Sequence, residues 1–488
     1  MNQKFFVSNY LNIYPSNRDT HILMHGVTGA IDEVSNNLGL RLSRCRRKQQ
    51  SMEESEFDAT DFDLLRSRGY LTALSYEAEV DAFVEYVNKL HQKNRAAVSS
   101  GFVMLALSYA CNLRCPYCYQ NEMRDRNGPS LRAMSPDFVD TLFTKTIPAL
   151  YGSTANNLQI SLYGGEPFAP ENVPAIERAL YYAQHRGHEV SAISNGTRVN
   201  EFPNLFGEEH GKVNNVQISL DGIPDIHNKS RIPMSGEKTF DAIVENIHWL
   251  SAKGVKIALR VNVTVESVGT LKDLENILDQ RGVSKLPNVS VYCTAIHEAH
   301  TKTATDVFPE IFSQWKLANE MEKKGVSSMA SPYDKTCGTM RNLFDNNENI
   351  LLNKTMFCME NRPYSLLFDP YGDVYGCYEE AGYTNKRIGV VTNEGLVDFV
   401  DNRYNTYQSR NVASHEPCRS CSVALTCGGG CPLQAEIANG TIFSNHCDSQ
   451  KELVAKSIIA FVEKKTAESD LMVLDANRLA KEEMTPLL

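Results

Sequence analysis

Short apolar runs alternate with amphipathic stretches from residue 102 onward. The apolar runs have the length of β-strands and cover residues 102–108, 158–163, 189–194, 216–220, 255–264 and 289–293. The stretches between them have the spacing of helices, and such alternation is typical of a parallel β/α sheet. Six such units predict an α/β fold with a partial (β/α)6 TIM-type barrel, in which reactive groups gather at the carboxyl ends of the strands.

The first hundred residues have a different pattern, which predicts a separate small α+β module. An apolar beginning over residues 5–14 precedes two apolar stripes of helical spacing, over residues 27–38 and 80–90, and Ser75 is the predicted N-cap of the second helix. A basic run over residues 41–50 and an acidic run over residues 53–63 lie between the stripes. Adjacent runs of opposite charge predict a solvated connector.

Three cysteines follow the first predicted strand of the barrel, at Cys111, Cys115 and Cys118. Iron–sulfur clusters are normally held by four thiolates, so a three-cysteine loop predicts a cluster with one iron open to an exchangeable ligand. A structural zinc knuckle is the alternative interpretation. Zinc sites usually pair two such hairpins around four ligands, however, and no partner hairpin lies nearby.

This spacing, with Tyr117 before the last cysteine, resembles the signature of the radical S-adenosylmethionine (SAM) enzymes. Further motifs follow the second, third and fourth strands in the order that this family shows. The resemblance implies that these residues bind the cofactor: Tyr117, Gly164, Gly165, Glu166, Ser194, Asn195, Ser219 and Arg231.

Each SAM-binding motif has a physical rationale. The two glycines remove side chains, so that the backbone can approach the methionine amino group, which the following glutamate helps to hold. The serines and the asparagine offer short hydrogen-bonding groups to a ribose. The family pairs an arginine at the position of Arg231 with the SAM carboxylate, for which a planar guanidinium is suited.

A second set of cysteines lies in the C-terminal third: Cys358, Cys377, Cys418, Cys421, Cys427, Cys431 and Cys447. The set resembles the seven-cysteine SPASM domain, which in its fuller form holds two auxiliary four-iron clusters. The resemblance assigns Cys358, Cys377 and Cys431 to the first auxiliary cluster, with Cys337 as the candidate for its missing ligand. The other four serve the second.

Three glycines at 428–430 stand between two of these ligands, where they let backbone N–H groups reach cluster sulfurs. A double zinc ribbon is the alternative, although zinc hairpins more often repeat CxxC pairs.

Length and composition narrow the class of protein. A chain of 488 residues suggests two or three domains, and we expect a module at 1–95, the barrel at 101–330, the SPASM domain at 331–450 and a helical segment at 451–488. Thirteen cysteines without an N-terminal apolar signal segment predict a cytoplasmic, reducing environment. A formal charge of −10 disfavours nucleic acid as a partner, and no apolar run approaches the roughly 18 residues of a membrane span.

A small module ahead of such a barrel resembles the winged-helix-like element that recognises precursor peptides, in which a leader peptide adds to a sheet edge as a strand. The resemblance therefore implies a maturase of a ribosomally made peptide. It would use SAM and three 4Fe–4S clusters, one binding SAM and two auxiliary, with an external electron donor of the flavodoxin or ferredoxin type. A 5′-deoxyadenosyl radical would abstract hydrogen from a precursor residue, leading to a thioether or carbon–carbon crosslink or a related change.

Two other functions remain open. Anaerobic sulfatase-maturing enzymes oxidise a Cys or Ser to formylglycine, and they place an aspartate base directly after the cysteine that matches Cys377. Here Tyr378, Glu379 and Glu380 follow, so Glu379 is the candidate catalytic residue that would replace it. The third interpretation is a multi-cluster electron-transfer protein without SAM chemistry.

Overall fold

The computed structural model describes residues 3–121, 123, 131–297, 313–334, 336, 353–358, 362–468 and 473–474. The chain divides into two compact units. We call residues 1–96, 333–358 and 410–488 the terminal unit, because it contains both ends of the chain, and residues 97–332 and 359–409 the barrel unit. The segment 331–450, expected to form one domain, is thus divided between the two units.

The terminal unit contains two small antiparallel sheets. Its strands are β1 (Lys4–Val7), β2 (Leu11–Pro15), β3 (Thr20–His25), β4 (Ile31–Ser35), β5 (Met52–Glu53) and β6 (Leu71–Thr72). One sheet has the order β5-β1-β6. In the other, β4-β3-β2, the strand Val473–Leu474 adds along β4.

Seven helices of the described residues belong to the terminal unit: Asn36–Lys48, Ala59–Ser67, Tyr76–Ala96, Glu416–Arg419, Ala424–Cys427, Pro432–Asn439 and Gln450–Glu468. The predicted second helix is confirmed as Tyr76–Ala96, and Ser75 Oγ accepts a hydrogen bond from Ala78 N at 3.3 Å. This helix buries Phe83, Val87 and Leu90. The spacing of apolar residues predicted this helix correctly because a single face of the helix packs against a single hydrophobic core.

Two predictions for this unit are wrong. The stripe over residues 27–38 is not one helix, because Ile31–Ser35 is strand β4, which pairs with β3 in a hairpin. Pairing with a neighbouring strand here overrides the local spacing. The basic run is not a loop either: it forms most of helix Asn36–Lys48, which buries Leu42 and Cys45 and is capped by Ser35. Its basic last turn suits the negative end of the helix dipole.

The barrel unit is built on a ten-stranded sheet. Its strands are β7 (Gly101–Ala106), β8 (Leu158–Tyr163), β9 (Glu189–Ser194), β10 (Val213–Leu220), β11 (Lys256–Val263), β12 (Val289–Ala295), β13 (Ser365–Phe368), β14 (Asp373–Tyr375), β15 (Gly389–Val391) and β16 (Val397–Phe399). The first six are parallel and adjacent in chain order, which confirms the predicted parallel α/β core. Strand β13 adds in parallel beside β7, and β14 to β16 continue antiparallel.

Helices connect and flank these strands. Their bounds are Pro136–Thr141, Ile147–Tyr151, Val173–Arg186, Pro224–Ser230, Phe240–Ala252, Leu271–Gln280, Gln314–Lys323 and Arg403–Ser409, with a π-helical segment, Leu142–Thr146, between the first two. Helix Val173–Arg186 ends at Gly187 in the left-handed conformation. Among the helices of the described residues, none has the length and apolar character that crossing a bilayer requires.

Alternating side chains of the parallel strands separate two cores. On β7, Val103 and Leu105 join the large core that contains residues of the flanking helices, whereas Met104 and Ala106 join a smaller aromatic core. The smaller core includes Tyr163. The period of two along a strand therefore directs one face to the helices and the other to the interior where the site lies.

Candidate active site

The cysteine loop begins where β7 ends and is held by the next strand. Gly165 N donates to Ser108 O and Glu166 N to Ala110 O, each at 2.8 Å. A Cβ on Gly164 would lie 2.2 Å from Ser108 O, and one on Gly165 would lie 2.1 Å from Ala110 O. Gly164 also has a φ of +132°. The two glycines are therefore needed for the backbone that leads into the cysteine loop to pass, a role that the sequence interpretation did not assign to them.

Glu166 is fully buried and joins the ends of β8 and β9. One carboxylate oxygen accepts from Ser194 Oγ at 2.7 Å and from Phe168 N at 3.1 Å, and the other accepts from Asn195 N at 2.8 Å. Burial raises the pKa of Glu166, and these hydrogen bonds offset part of that rise. Glu166 and Ser194 thus fix the backbone beside the cysteine loop in this structure.

Asn195 connects that framework to the first cysteine. Its Nδ2 lies 3.8 Å from Cys111 Sγ and donates to Asn112 Oδ1 at 2.8 Å. Leu113 N donates to the same sulfur at 3.4 Å. Hydrogen bonds to cluster sulfurs adjust the reduction potential, so Asn195 lies where it would act on a cluster ligand. Asn112, which sequence reasoning missed, is signalled only by its position inside the cysteine loop.

A buried polar network lies beside the last two cysteines of the loop. Tyr117 donates its hydroxyl to Asp221 and accepts from Arg231 Nη1 at 3.2 Å. Arg231 Nη1 lies 3.6 Å from Asp221 Oδ1, which also accepts from Asn262 Nδ2 at 3.1 Å. Burial and the Asp221 charge raise the pKa of Tyr117, so its phenol stays a neutral donor. Asp221 and Asn262 were not predicted as site residues, although Asp221 directly follows one predicted strand and Asn262 lies near the carboxyl end of the next.

These residues fit a cofactor that supplies iron and a carboxylate. Burial raises the pKa of Cys115 to about 12, so its thiolate requires compensating positive charge, such as an iron centre. Arg231 is nine-tenths buried, and its Nε has no hydrogen-bond partner among the described residues. A buried guanidinium with an unused donor suits a carboxylate ligand.

A cavity of about 290 Å³ opens beside this network. It is lined by Tyr117, Tyr119, Tyr163, Ile193, Gln217, Ser219, Arg260, Asn262, Ile296, His297, Tyr378 and Glu379. The structure thus brings two predicted cofactor-binding residues, Tyr117 and Ser219, to the same cavity as the predicted catalytic Glu379. Gln217 and Arg260 were missed, because the predicted strands that contain them were identified only by their apolar residues. His297, two residues after β12, was missed because it belongs to no motif.

Glu379 is the acidic residue on the cavity wall. Its Oε1 pairs with His297 Nε2 at 2.8 Å, and its Oε2 is buried without a hydrogen-bond partner among the described residues. Burial favours the neutral acid, but the nearby positive groups His297 and Arg260 outweigh it and lower the pKa of Glu379. The carboxylate is therefore ionised and has one oxygen available to accept a proton.

Four cysteines of the second set lie near one another in the terminal unit. Cys421, Cys427 and Cys447 are close enough to Cys418 that, together with its burial, their charges raise the pKa of Cys418 to about 12. They are the four residues that the family resemblance assigns to the second auxiliary cluster. The backbone N–H groups of Gly429 and Gly430 hydrogen-bond to Cys427 and oppose the rise that burial causes in its pKa.

The glycine run also permits close packing around these ligands. A Cβ on Gly428 would lie 2.5 Å from Met356 O, and one on Gly430 would lie 1.9 Å from His446 O. Among the described residues, no three His, Cys, Asp or Glu side chains converge as the ligands of a single metal ion do.

The first predicted auxiliary set is distributed differently. Cys358 and Cys431 belong to the terminal unit, and Cys377 belongs to the barrel unit, two residues after β14. Cys337 lies outside the described residues. The assignment of these four to one cluster stays a prediction. Cys45 and Cys293, which match no motif, are buried in their units.

Comparison with known proteins agrees with this geometry. Residues 105–280 match the Radical SAM superfamily. The chain is 20% identical to the radical SAM cyclopropyl synthase TigE of Paramaledivibacter caminithermalis, over 93% of this chain and 96% of that one. It is 24% identical to a cysteine-type anaerobic sulfatase-maturating enzyme of Clostridium novyi, over 71% of this chain and 92% of that enzyme.

The fold is also similar to a solved structure, native anSMEcpe with bound AdoMet (SAM), with a TM-score of 0.52 and 17% identity over 74% of this chain and 99% of that one. Two further curated relatives match over only 64% and 43% of their own lengths, which is less than two thirds of each. The superfamily match begins in β7 and ends with helix Leu271–Gln280, so it spans the cysteine loop and every predicted SAM-binding residue.

Proposed function

We propose that this chain, a radical SAM enzyme that resembles the maturases of ribosomally made peptides, modifies a residue of a peptide or protein. The observation that carries the proposal is the convergence of the cysteine loop, the buried Arg231 and the tyrosine-lined cavity in one unit. The likeness to TigE along nearly the whole chain supports a shared layout beyond the barrel.

SAM on a 4Fe–4S cluster supplies, when bound, a radical able to take hydrogen from an unactivated carbon. The chain's own residues orient and protect that chemistry. Cys111, Cys115 and Cys118 would hold the cluster, and Arg231, fixed by Tyr117 and Asp221, would hold the cofactor carboxylate. The cavity wall would position the substrate residue and exclude water.

The finer proposal is a maturase that installs a thioether or carbon–carbon crosslink, or a related change, in a precursor peptide. In this scheme the terminal unit recognises the leader, the two C-terminal cysteine sets hold auxiliary clusters, and a flavodoxin- or ferredoxin-type protein supplies electrons. The grouping of Cys418 with Cys421, Cys427 and Cys447 supports one auxiliary cluster.

The position of Glu379 on the cavity wall supports a second candidate function, the sulfatase-maturing activity. The expected aspartate is absent after Cys377, but Glu379, two residues on, faces the cavity with a lowered pKa and an available oxygen. A base at this position suits either reaction, since both remove protons from the modified residue. The full-length likeness to TigE gives the peptide maturase the greater weight.

The substrate decides between the two candidates. Anaerobically reconstituted protein would be incubated with SAM, a reductant and either a precursor peptide encoded beside the gene or a sulfatase-derived peptide containing the modified Cys or Ser. Mass spectrometry of each product distinguishes a crosslink from formylglycine. Modification of the sulfatase peptide alone would contradict the maturase proposal, and modification of neither would contradict both.

Glu379→Gln tests the base. The amide is isosteric but cannot accept the proton, so we expect product formation to fall by about 10²- to 10⁴-fold while 5′-deoxyadenosine is still formed. Because its pKa is lowered, Glu379 should stay ionised as the pH falls from 8 to 5. Product formation by the wild-type enzyme should therefore not decrease in this range through protonation of Glu379.

His297→Gln removes the larger of the two favourable charge interactions that lower the pKa of Glu379, so the acid limb of product formation should move to higher pH. Glu380→Gln is the matched control, because Glu380 is also buried but does not line the cavity. Unchanged turnover in Glu379→Gln would remove it from the mechanism.

A further inference from the structure

We propose that the β2–β3 hairpin of the terminal unit positions the loop that carries Cys418 and Cys421. The predicted peptide-recognition sheet would then also be the scaffold of the second auxiliary cluster. Residues 3–35 would help to hold that cluster in addition to any role in peptide binding. The inference rests on the proposed second auxiliary cluster, and its test does not depend on which peptide is modified.

Hydrogen bonds join the hairpin to this loop at two points. Asn12 Nδ2 donates to Ser422 O at 3.1 Å, and Ser422 Oγ donates back to Asn12 Oδ1 at 2.6 Å. Asn12 is itself fixed, because its Nδ2 also lies 3.3 Å from Met24 O on the paired strand. Tyr10 donates its hydroxyl to Arg419 O. Both loop partners directly follow a cysteine ligand, so a shift of the hairpin would move the ligand backbone.

The backbone of the hairpin also lies close to the backbone of the cysteine loop, at Gly26 and Ser422. A Cβ on Gly26 would lie 1.7 Å from Ser422 O and 2.7 Å from Ser422 C. Gly26 N donates to Tyr10 O at 2.8 Å, which holds the end of β3 against the residue before β2. Glycine is thus required here by the carbonyl of the cysteine loop, which leaves no space for a side chain.

The hairpin and the cysteine loop share one hydrophobic core. Tyr10, Ile22 and Met24 pack in the same cluster as Cys418 and Leu425. The helix Tyr76–Ala96 adds Phe83 and Val87 to this core. Its own polar residues reach the segment before Cys358: His91 Nδ1 lies 3.1 Å from Thr355 Oγ1, and Asn94 Nδ2 donates to Asn353 O at 2.8 Å.

A consequence follows for peptide recognition. A peptide strand that adds to this sheet would bind to the same packed body that holds four cysteine ligands, so peptide binding and cluster environment would be coupled. Deleting residues 1–95 would remove the peptide-recognition sheet and the support of the cysteine loop together. The deleted segment contains the hydrogen-bond partners of the loop and much of the hydrophobic core against which the loop packs. Point variants of the hairpin are therefore the sharper test.

The test uses the full-length, anaerobically reconstituted protein. Iron content, the electron paramagnetic resonance spectrum of the reduced protein and the auxiliary-cluster potential would be measured for Asn12→Ala, Ser422→Ala and Gly26→Ala. A Cys418→Ala/Cys421→Ala variant serves as the reference for cluster loss, at about four irons per cluster. We expect Asn12→Ala and Gly26→Ala to lose part or all of that iron or to shift the potential, while SAM cleavage in the barrel unit continues.

Asn36→Ala is the matched control, because Asn36 lies in the same unit and its Nδ2 donates to Asp19 Oδ1 at 2.8 Å at the surface. It should leave the iron content unchanged. The effects of Asn12→Ala and Ser422→Ala should be less than additive when combined, since each removes the same pair. If Gly26→Ala does not fold, these two variants decide alone.

Wild-type iron content and potential in Asn12→Ala and Ser422→Ala would overturn the inference. The hairpin would then only pack against the cysteine loop, without positioning its ligands. Unchanged iron in the Cys418→Ala/Cys421→Ala reference would also overturn it, because no second auxiliary cluster would then exist. Neither result bears on whether a peptide is modified, which is read from product formation.

Discussion

Two buried polar networks in this protein contain chemically capable residues, but they differ in how their hydrogen-bonding groups are used. In the barrel unit, Tyr117 and Asn262 line the cavity, and Arg231 retains a buried Nε without a hydrogen-bond partner among the described residues. In the terminal unit, Ser8, His25 and Glu79 form a serine, histidine and carboxylate set of the kind that hydrolases use.

The side chains of the second network hydrogen-bond to one another and to nearby backbone N–H groups. His25 Nδ1 accepts from Thr28 N at 3.0 Å, so its Nε2 carries the proton and donates to Ser8 Oγ at 3.0 Å. Ser8 Oγ in turn donates to Glu79 Oε1 at 2.6 Å. The proton order is thus opposite to that of a nucleophilic serine, and none of the three residues lines the cavity.

Residue types alone therefore do not identify a functional site. What distinguishes the two networks is unused hydrogen-bonding capacity next to open space. In the terminal unit the polar groups tie β1, β3 and the helix Tyr76–Ala96 together, whereas in the barrel unit they leave a donor and a carboxylate oxygen for a ligand.

The three cysteines of the barrel unit are the proposed centre of the reaction. Replacing Cys111, Cys115 and Cys118 together by Ala should remove one four-iron cluster and all SAM cleavage, the largest effect that we expect. Iron analysis and a 5′-deoxyadenosine assay of reconstituted protein measure it. Cys293→Ala, a buried cysteine of the same unit outside the loop, is the control. Persisting 5′-deoxyadenosine formation in the triple variant would refute the assignment.

Arg231→Gln removes the unused Nε donor together with the Nη1 contacts to Tyr117 and Asp221. A hydrogen bond to a charged group contributes about 1.5–3 kcal/mol, so SAM affinity should fall by about 10- to 100-fold. Calorimetric titration with SAM measures the change. Arg198→Gln, which removes an exposed ion pair with Glu201, should have no effect. Equal losses in both variants would show that Arg231 does not contact the cofactor.

A smaller effect tests the structural role of the other network. Burial, with a contribution from Arg46, lowers the pKa of His25 to about 3. Because the unfolded chain binds that proton near pH 6.5 and the folded one does not, the stability from neutral His25 is complete above pH 6.5 and is lost as the pH falls towards 3. We expect a loss of about 1.4 kcal/mol per pH unit in this window.

Hydrogen exchange of β1 to β3, corrected for intrinsic rates, reports this loss as reduced protection between pH 7 and pH 5. In His25→Gln the pH dependence should be weaker, since the titrating group is gone. The same slope in wild type and variant would assign the acid sensitivity to other residues.

Much of the barrel unit was predictable, because local patterns and spatial neighbours coincide there. All six predicted parallel strands are present, and the cysteine loop and the residues from 163 to 231 meet because the carboxyl ends of adjacent parallel strands share one edge. The terminal unit was harder to predict. Residues 31–35 carry apolar spacing that suits a helix locally, and only pairing with β3 makes them a strand.

The cysteine spacings, the glycine pair, Arg231 and Glu379 are local features of the sequence, and their residue types limit what can bind to the protein. Which of these features lie next to one another depends on the fold. It placed Glu379 and His297, 82 positions apart, on one cavity wall, and it packed Asn12 against Ser422 across 410 positions. Such contacts depend on chain closure and on a shared core, which no spacing along the chain encodes.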